Sequence, residues 1–282
     1  MTFALPEAEF FIPDGMTETA ALRRTTHLGV GAHQDDLEIM AWHGILTCFD
    51  SDTDWFTGVT VTDGGGSART GPYASTTDAE MRLIRRAEQR KASVLGEYSA
   101  MIQLCHPSAT AKNPSDGTMI EDFKAILAAA RPRVVYTHNL ADKHDTHVAL
   151  ALKLVKAVRQ LPPADRPERL YGCEVWRNLD WMLDEDKVVF DVSAHENLGA
   201  ALVGIFDSQV AGGKRYDLAT LGRWRANATY FASHATDKAT ALIYAMDLTP
   251  LVKDERLDPA ALVQGHLDRL AADVAGRLKK FS

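Results

Sequence analysis

Between an apolar segment and a helical pattern, the chain reads Gly31-Ala32-His33-Gln34-Asp35-Asp36-Leu37-Glu38. The imidazole of His33 and the carboxylate of Asp36 are the mixed nitrogen and oxygen donors that divalent ions of the zinc or iron type accept. Asp35 lies between them, where a carboxylate can act as a base on water. One strand-to-helix turn thus supplies two candidate metal ligands and a proton acceptor, which is the outline of a hydrolytic metal site.

Apolar strands alternate with amphipathic helices on both sides of this turn. The pattern predicts strands at residues 26–31, 56–62, 100–104, 133–137, 170–175 and 187–192, and helices at residues 36–49, 77–95, 118–130 and 148–159. Capping-box sequences begin at Thr77 and at Thr118. Strands separated by helices of this length indicate βαβ units, so we expect an α/β fold with a mostly parallel sheet.

Length and composition fit one large domain. A chain of 282 residues that is 46% hydrophobic can bury a sizeable core, and it contains no internal repeat or low-complexity linker. We therefore expect a single domain over residues 1–282, with a core at residues 25–210 and a C-terminal helical or irregular extension at residues 211–282.

Charge and cysteine content narrow the function classes. A formal net charge of −7 leaves no basic excess for phosphate contacts, which argues against nucleic-acid binding. The three cysteines are far apart and predict buried thiols in a reducing compartment. No secretory signal and no apolar run of membrane length is recognisable, so we expect a soluble, cytoplasmic protein without a membrane partner.

A second group of reactive side chains follows the predicted strand at residues 133–137. Three histidines and two aspartates lie within ten residues there: His138, Asp142, His144, Asp145 and His147. Loops beyond the carboxyl ends of parallel strands meet at one edge of the sheet. We therefore expect this group to face the His33 turn across that edge, beside a third loop that begins at Asp63.

These motifs resemble the signature of a known family. The stretch from Ala32 to Glu38 is similar to the AHPDDE motif of the LmbE-like, or PIG-L, family of zinc-dependent N-acetylglucosaminyl deacetylases. The spacing His138-x-x-x-Asp142-x-His144-x-x-His147 resembles the second motif of that family. Shorter matches cover residues 61–64, 86–96 and 208–209, so the resemblance covers residues 25–210 and implies a Rossmann-like sheet with helices on both faces.

The resemblance also implies roles for the residues of both motifs. Zn²⁺, or another divalent metal such as Fe²⁺, would be held by His33, Asp36 and His147. Asp35 would be the general base, and His144 would stabilise the oxyanion or protonate the leaving amine. An imidazole would be oriented from behind by one of two carboxylates, Asp142 or Asp145.

Four positions depart from the family pattern. Gln34 replaces a proline, Thr146 replaces the aspartate before the last histidine, and Asp207 replaces a histidine before the Ser-Gln pair. The glycine pair expected on the first helix reads His43-Gly44. We expect His43 either to touch the substrate or to pack in the core.

Charged residues near the third loop are further candidates for substrate contact. Asp63 ends a predicted strand, and Arg69 follows its glycine-rich loop, so each is a candidate for binding a substrate hydroxyl or anionic group. Arg85 and Arg86 lie on a charged helix and are expected to be solvated. The aromatic and basic segment at residues 223–231 suits sugar stacking, a subunit contact or a helix that covers the core.

We therefore expect a metal-dependent hydrolase that removes an N-acyl group, acetyl by the resemblance, from an amino sugar or its conjugate. A hydratase or other lyase on the same metal site stays open because of Thr146 and Asp207. A catalytically inactive sugar-binding module is the third alternative, although Asp35 argues against it because binding alone needs no base. The expected partner is a small molecule, and a homo-oligomer is compatible with these features.

Overall fold

The computed structural model describes residues 1–282 and contains eight strands, β1 (Glu9–Phe11), β2 (His27–Gly31), β3 (Phe56–Thr62), β4 (Ala100–His106), β5 (Val134–His138), β6 (Arg169–Cys173), β7 (Lys187–Asp191) and β8 (Leu242–Asp247). They form one sheet in the order β1-β4-β3-β2-β5-β6-β8-β7. The five strands from β4 to β6 in that order are parallel to one another. The edge strands are antiparallel to their neighbours, which makes the sheet mixed.

Twelve α-helices connect and cover these strands. They are α1 (Glu18–Arg24), α2 (Asp36–Met40), α3 (Trp42–Cys48), α4 (Asp78–Leu95), α5 (Ser108–Lys112), α6 (Thr118–Ala130), α7 (Asp145–Arg159), α8 (Glu196–Gly204), α9 (Asp207–Val210), α10 (Tyr216–Tyr230), α11 (Thr249–Lys253) and α12 (Pro259–Phe281). Three short 3₁₀ turns lie at Gly71–Tyr73, Pro163–Asp165 and Asp184–Asp186. None of the helices has both the length and the apolar character needed to cross a membrane.

The strand order reverses between β2 and β5, and this reversal creates a crevice. The chain proceeds from β2 to β3 and β4 on one side, and then returns to place β5 and β6 on the other side. Because β2 and β5 are parallel neighbours, the loops that follow them leave the same edge of the sheet side by side. In open α/β sheets, ligands bind at this kind of position. The α/β fold with helices on both faces is confirmed.

Each face of the sheet carries its own apolar core. Every residue of β2 and β3 is buried, as expected for strands covered on both sides. Leu28 and Val30 of β2 pack into a core of 32 residues on one face. On the other face, Leu37 of α2 lies against Gly29, where an added Cβ would come within 2.9 Å of the Leu37 side chain. The glycine in β2 therefore allows α2 to approach the sheet closely.

Helix boundaries differ from the sequence-based expectation in two places. The helix expected at residues 36–49 is divided into α2 and α3, because Ala41 leaves the helical region with φ −101° and ψ 16°. The capping box at Thr77 is confirmed, with both reciprocal hydrogen bonds present. The capping box expected at Thr118 is wrong, because Gly117 is the N-cap and the Thr118 hydroxyl donates to Asp116 instead.

The C-terminal segment contributes more than a covering extension. Strand β8 inserts between β6 and β7, so the sheet continues beyond residue 210, where the sequence pattern placed the end of the core. Helix α10 holds the aromatic and basic segment at residues 223–231, and its Trp224 ring stacks on Trp42 with the ring centroids 6.4 Å apart. That helix therefore covers the core, one of the three roles expected for it. All three cysteines are free thiols.

Gly44 is a point where the packing can be tested. An added Cβ would lie 2.5 Å from the buried Tyr136 ring, closer than real Cβ atoms approach a neighbour. We expect Gly44→Ala to lower the free energy of unfolding by about 1–3 kcal/mol, because the Tyr136 ring must shift in a close-packed core. Gly222→Ala, in α10 with no atom near its Cβ position, is the matched control and should be neutral or stabilising. Denaturant unfolding measures both, and equal stability of the two variants would contradict this packing.

Candidate metal centre

Three side chains from distant parts of the chain converge at the crevice. The Nδ1 atom of His33 lies 3.3 Å from Oδ2 of Asp36 and 3.2 Å from Nε2 of His147, and the last two atoms are 3.5 Å apart. A tetrahedral zinc ion with bonds of about 2.0–2.1 Å separates its ligand atoms by about 3.3 Å. The three donor atoms are therefore spaced as a zinc-type ion requires.

The turn after β2 places the first two of these side chains. Asp35 adopts φ 96°, a backbone conformation that residues other than glycine rarely take. This turn starts α2 at Asp36, whose Oδ2 accepts a hydrogen bond of 2.7 Å from the His33 N–H. Strained backbone of this kind costs of order 1–3 kcal/mol and clusters at functional sites.

Asp142 supports His147 from behind. Its Oδ2 lies 3.5 Å from Nδ1 of His147 and accepts a hydrogen bond from the Trp176 N–H, while its Oδ1 accepts one from the His144 N–H. Burial acts to raise the pKa of Asp142, but His147 and these donors outweigh it and hold that pKa below its ordinary value. Asp145 lies at the exposed start of α7 with no side-chain hydrogen bond. Only the first of the two expected orienting carboxylates is in position.

His138 is a member of the cluster that the sequence motif contained without a role. It ends β5, stacks on His147 with the ring centroids 3.7 Å apart, and has Nε2 3.4 Å from Oδ2 of Asp36. That Nε2 already accepts a hydrogen bond of 2.9 Å from the Ala32 N–H, so its lone pair is engaged. Burial acts to raise the pKa of Asp36, but His147 and His138 hold it well below its ordinary value.

Asp35 lines the same cleft as His33 and Asp36, and an arginine lies next to its carboxylate. Its Oδ1 is 3.8 Å from a guanidinium nitrogen of Arg85, which donates a hydrogen bond of 2.6 Å to the Gln34 carbonyl. Burial raises the pKa of Asp35 well above its ordinary value despite this cation. The expectation that Arg85 is solvated is wrong, since it is only 4% exposed. Arg85 lies four residues from Met81 and from Gln89, so the helical period places it on their buried side of α4.

The other polar members of the first motif point away from the crevice. The Gln34 amide donates to the carbonyl oxygen of Thr62, so the replacement of proline serves a contact within the sheet. Glu38 accepts hydrogen bonds from Gln89 and from the Tyr98 hydroxyl, and burial raises its pKa to about 7. These contacts attach the turn to its neighbours and leave Asp35 and Asp36 as the carboxylates of the crevice.

His144 lies against the imidazoles of both His33 and His147. Its ring stacks on His147 at 4.5 Å and meets the edge of the His33 ring at 5.0 Å. Burial, reinforced by the two neighbouring imidazoles, lowers the pKa of His144 to about 4. Its ring is therefore neutral at pH 7 and carries one N–H that it can donate.

His43 is not at the crevice, and the expectation of a substrate contact is wrong for this residue. Its Nδ1 lies 2.9 Å from the Tyr136 hydroxyl, and its ring stacks on Phe190 with the centroids 4.1 Å apart. The physical reason is the break at Ala41, since α3 starts a new helix whose faces do not continue those of α2. The alternative of core packing describes this histidine.

Asp63 and Arg69 are engaged with their own loop and helix. Asp63 pairs with Arg82, whose Nε lies 2.9 Å from its Oδ2. Arg69 donates to the Thr76 carbonyl and pairs with Asp78 at 2.5 Å. Neither side chain lines the crevice, so these contacts hold the glycine-rich loop in place against α4.

A cleft of about 360 Å³ opens over the cluster. It is lined by nineteen residues, mostly polar or glycine: His33, Asp35, Asp36, Ile39, Gly64, Gly66, Ser67, Ala68, Arg85, Ser108, Lys112, His144, Thr146, Val175, Trp176, Gln209, Gly213, Lys214 and Tyr216. Of the departing positions, Thr146 faces this cleft, whereas Asp207 accepts a hydrogen bond from the Tyr73 hydroxyl outside it. Tyr216 lies near both aspartates, and burial together with them raises its pKa to about 12.

Solved structures share this fold. The N,N'-diacetylchitobiose deacetylase from Pyrococcus horikoshii is 16% identical, with a TM-score of 0.62 over 82% of this chain and 86% of that one. The 4-carboxy-2-hydroxymuconate hydratase from Pseudomonas putida KT2440 is 14% identical, with a TM-score of 0.62 over 79% and 95%. The A40926 pseudoaglycone deacetylase is 15% identical, with a TM-score of 0.57 over 79% and 97%. At these identities the likeness shows a shared fold.

A known protein family matches the part of the sequence that contains the metal-site residues. No curated protein sequence matches the chain. The family described as PIG-L: GlcNAc-PI de-N-acetylase matches residues 28–158, which run from β2 to the end of α7 and include both histidine motifs. Over residues 28–158, just under half of its length, the chain is similar to the PIG-L, or LmbE-like, family.

Proposed function

We propose that this protein is a metal-dependent hydrolase that removes an N-acyl group, acetyl in the simplest case, from an amino sugar or its conjugate. One observation carries the proposal: three donor atoms spaced 3.2–3.5 Å apart lie beside Asp35, a buried carboxylate that accepts no hydrogen bond. The match of residues 28–158 to a family described as a de-N-acetylase supports the reaction class. Two of the similar solved structures are deacetylases, which supports it further.

His33, Asp36 and His147 would hold the ion, and zinc suits two neutral imidazoles and one carboxylate. When bound, such an ion acidifies water and polarises an acyl carbonyl oxygen. Burial lowers the pKa of His33, which keeps that imidazole in the neutral form that a metal needs. Asp142 lies against the outer nitrogen of His147 and fixes the direction of that ring.

Asp35 and His144 would move the protons. Asp35 removes a proton from the attacking water, and that proton later passes to the leaving amine nitrogen. The neutral His144 ring, which lines the same cleft, would donate its N–H to the oxygen that gains negative charge. Arg85 fixes the Gln34 carbonyl and lies 3.8 Å from Asp35, so it keeps the base directed into the cleft.

Metal binding is the first test. We expect wild-type protein to bind one zinc ion tightly and to release acetate from N-acetylglucosamine or a conjugate of it. Chelation should abolish the release and zinc should restore it. His147→Ala should lose the ion, because it removes one of three ligands, whereas exposed His234→Ala is the matched control and should keep it.

Elemental analysis measures the zinc content, and an acetate assay measures the hydrolysis. Equal zinc content in His147→Ala and wild type would contradict the proposed ligand set. A product that gains the mass of water, with no acid released, would show hydration instead and would favour a lyase.

The role of Asp35 is tested by Asp35→Asn, which keeps the shape and tolerates the same backbone conformation. We expect zinc content to be unchanged and kcat to fall by about 10²–10⁴, because the proton acceptor is lost. Asp145→Asn is the control, since that carboxylate is exposed and unbonded. Turnover by Asp35→Asn at the wild-type rate would show that the base lies elsewhere.

A further inference from the structure

A second cavity, here called the side chamber, opens directly from the cleft over the metal cluster. It has a volume of about 310 Å³. Five residues line both spaces: Ile39, Val175, Trp176, Lys214 and Tyr216. Ile39 lies one helical turn after Asp36, and the Trp176 N–H donates to Asp142. The side chamber therefore lies next to the cleft that contains the proposed metal ligands His33 and Asp36.

The walls of the side chamber are apolar. Seven of its twelve lining residues are hydrophobic, and Trp224 and Ile243 extend the surface begun by the shared residues. Glu174 is the one carboxylate present, and its oxygens already accept hydrogen bonds from the backbone of Leu179 and Tyr244 and from Asn227. Because the Glu174 carboxylate already has hydrogen-bond donors within the protein, the side chamber offers a ligand mainly apolar contact.

Three cations line the side chamber: Lys214, Arg215 and Arg223. Arg215 pairs with Asp217 at 2.7 Å. The Lys214 ammonium lies 4.4 Å from the centroid of the Trp176 ring, and it forms no ion pair. The Arg223 guanidinium donates to the Val175 carbonyl. Long basic side chains can cover apolar surface with their stems while the charged ends reach water. The stems of these side chains can therefore add to the apolar lining of the side chamber.

The remaining lining of the cleft has the opposite character. Gly64, Ser67, Ser108, Lys112 and Gln209 line the cleft and do not reach the side chamber. An amide whose carbonyl lies at the metal has two substituents, one on nitrogen and one on carbon. Hydroxyl groups on the nitrogen side suit the polar lining, which leaves the apolar side chamber for the carbon side.

We propose that the side chamber binds an aliphatic acyl chain longer than acetyl, so that the preferred substrate is a medium-chain N-acyl amino sugar. The assignment of the chain to an amide rests on the proposed function. The affinity of the side chamber for an alkyl chain rests on its own walls. The two claims can therefore fail separately.

Straight-chain carboxylates from acetate to octanoate are the probes, since each is the acid released from the corresponding amide. Titration of zinc-loaded protein can be followed by the fluorescence of Trp176 and Trp224, which line the side chamber. We expect Kd to fall by about threefold to fourfold for each added methylene until the side chamber is filled.

Filling the side chamber provides the matched variant. Ala219 lines it from the exposed side of α10, so Ala219→Phe should weaken octanoate binding at least tenfold and leave acetate binding unchanged. Ala226→Phe, exposed on the same helix and outside the side chamber, should bind octanoate like the wild type. Octanoate that binds no more tightly than acetate to wild type would overturn the inference, as would an Ala219→Phe variant that keeps the chain-length dependence.

Hydrolysis separates the two claims. We expect N-octanoylglucosamine to have at least tenfold higher kcat/KM than N-acetylglucosamine in wild type, and Ala219→Phe to remove that preference. Hydrolysis of the acetyl substrate alone would overturn the inference and leave the proposed function standing. Chain-length-dependent binding with no hydrolysis of either amide would overturn the proposed function and support an alkyl-binding chamber.

Discussion

One carboxylate oxygen organises the site. Oδ2 of Asp36 is 2.7 Å from the His33 backbone nitrogen and within 3.5 Å of three imidazole nitrogens, from His33, His138 and His147. A buried carboxylate is costly unless opposite charge or hydrogen-bond donors surround it. These contacts offset the cost of burying the Asp36 carboxylate. The contacts with His138 and His147 are possible because β2 and β5 are neighbours at the reversal of strand order.

The surfaces around this oxygen differ in chemical character. Asp35 lies 3.8 Å from the Arg85 guanidinium, and the neutral His144 ring lines the same cleft. We propose Asp35 as the base and Arg85 as the cation that positions it. Beyond them the lining divides into a polar cleft and an apolar side chamber. We propose that these two linings bind the two halves of an amide. Helix α10, from the part of the chain after residue 210, supplies five of the residues that line the side chamber.

Much of this arrangement was predictable because it follows from local pattern and topology. The strands near His33 and His138 are short apolar runs, and their adjacency in a parallel sheet brings both motifs to one edge. Orientation within a helix was less predictable. His43 lies in the core because the helix is interrupted at Ala41. Arg85 is buried because the side of α4 that carries it faces the crevice and not the solvent. Strand β8 was missed because its pairing partners are distant in sequence.

We propose that His33, Asp36 and His147 hold one ion beside Asp35. Anomalous diffraction at the zinc edge, on crystals of zinc-loaded protein, tests it most directly. We expect a single strong peak at about 2.0–2.2 Å from Nδ1 of His33, Oδ2 of Asp36 and Nε2 of His147. A peak bonded to His138 in place of His33, or no peak in this crevice at all, would contradict it.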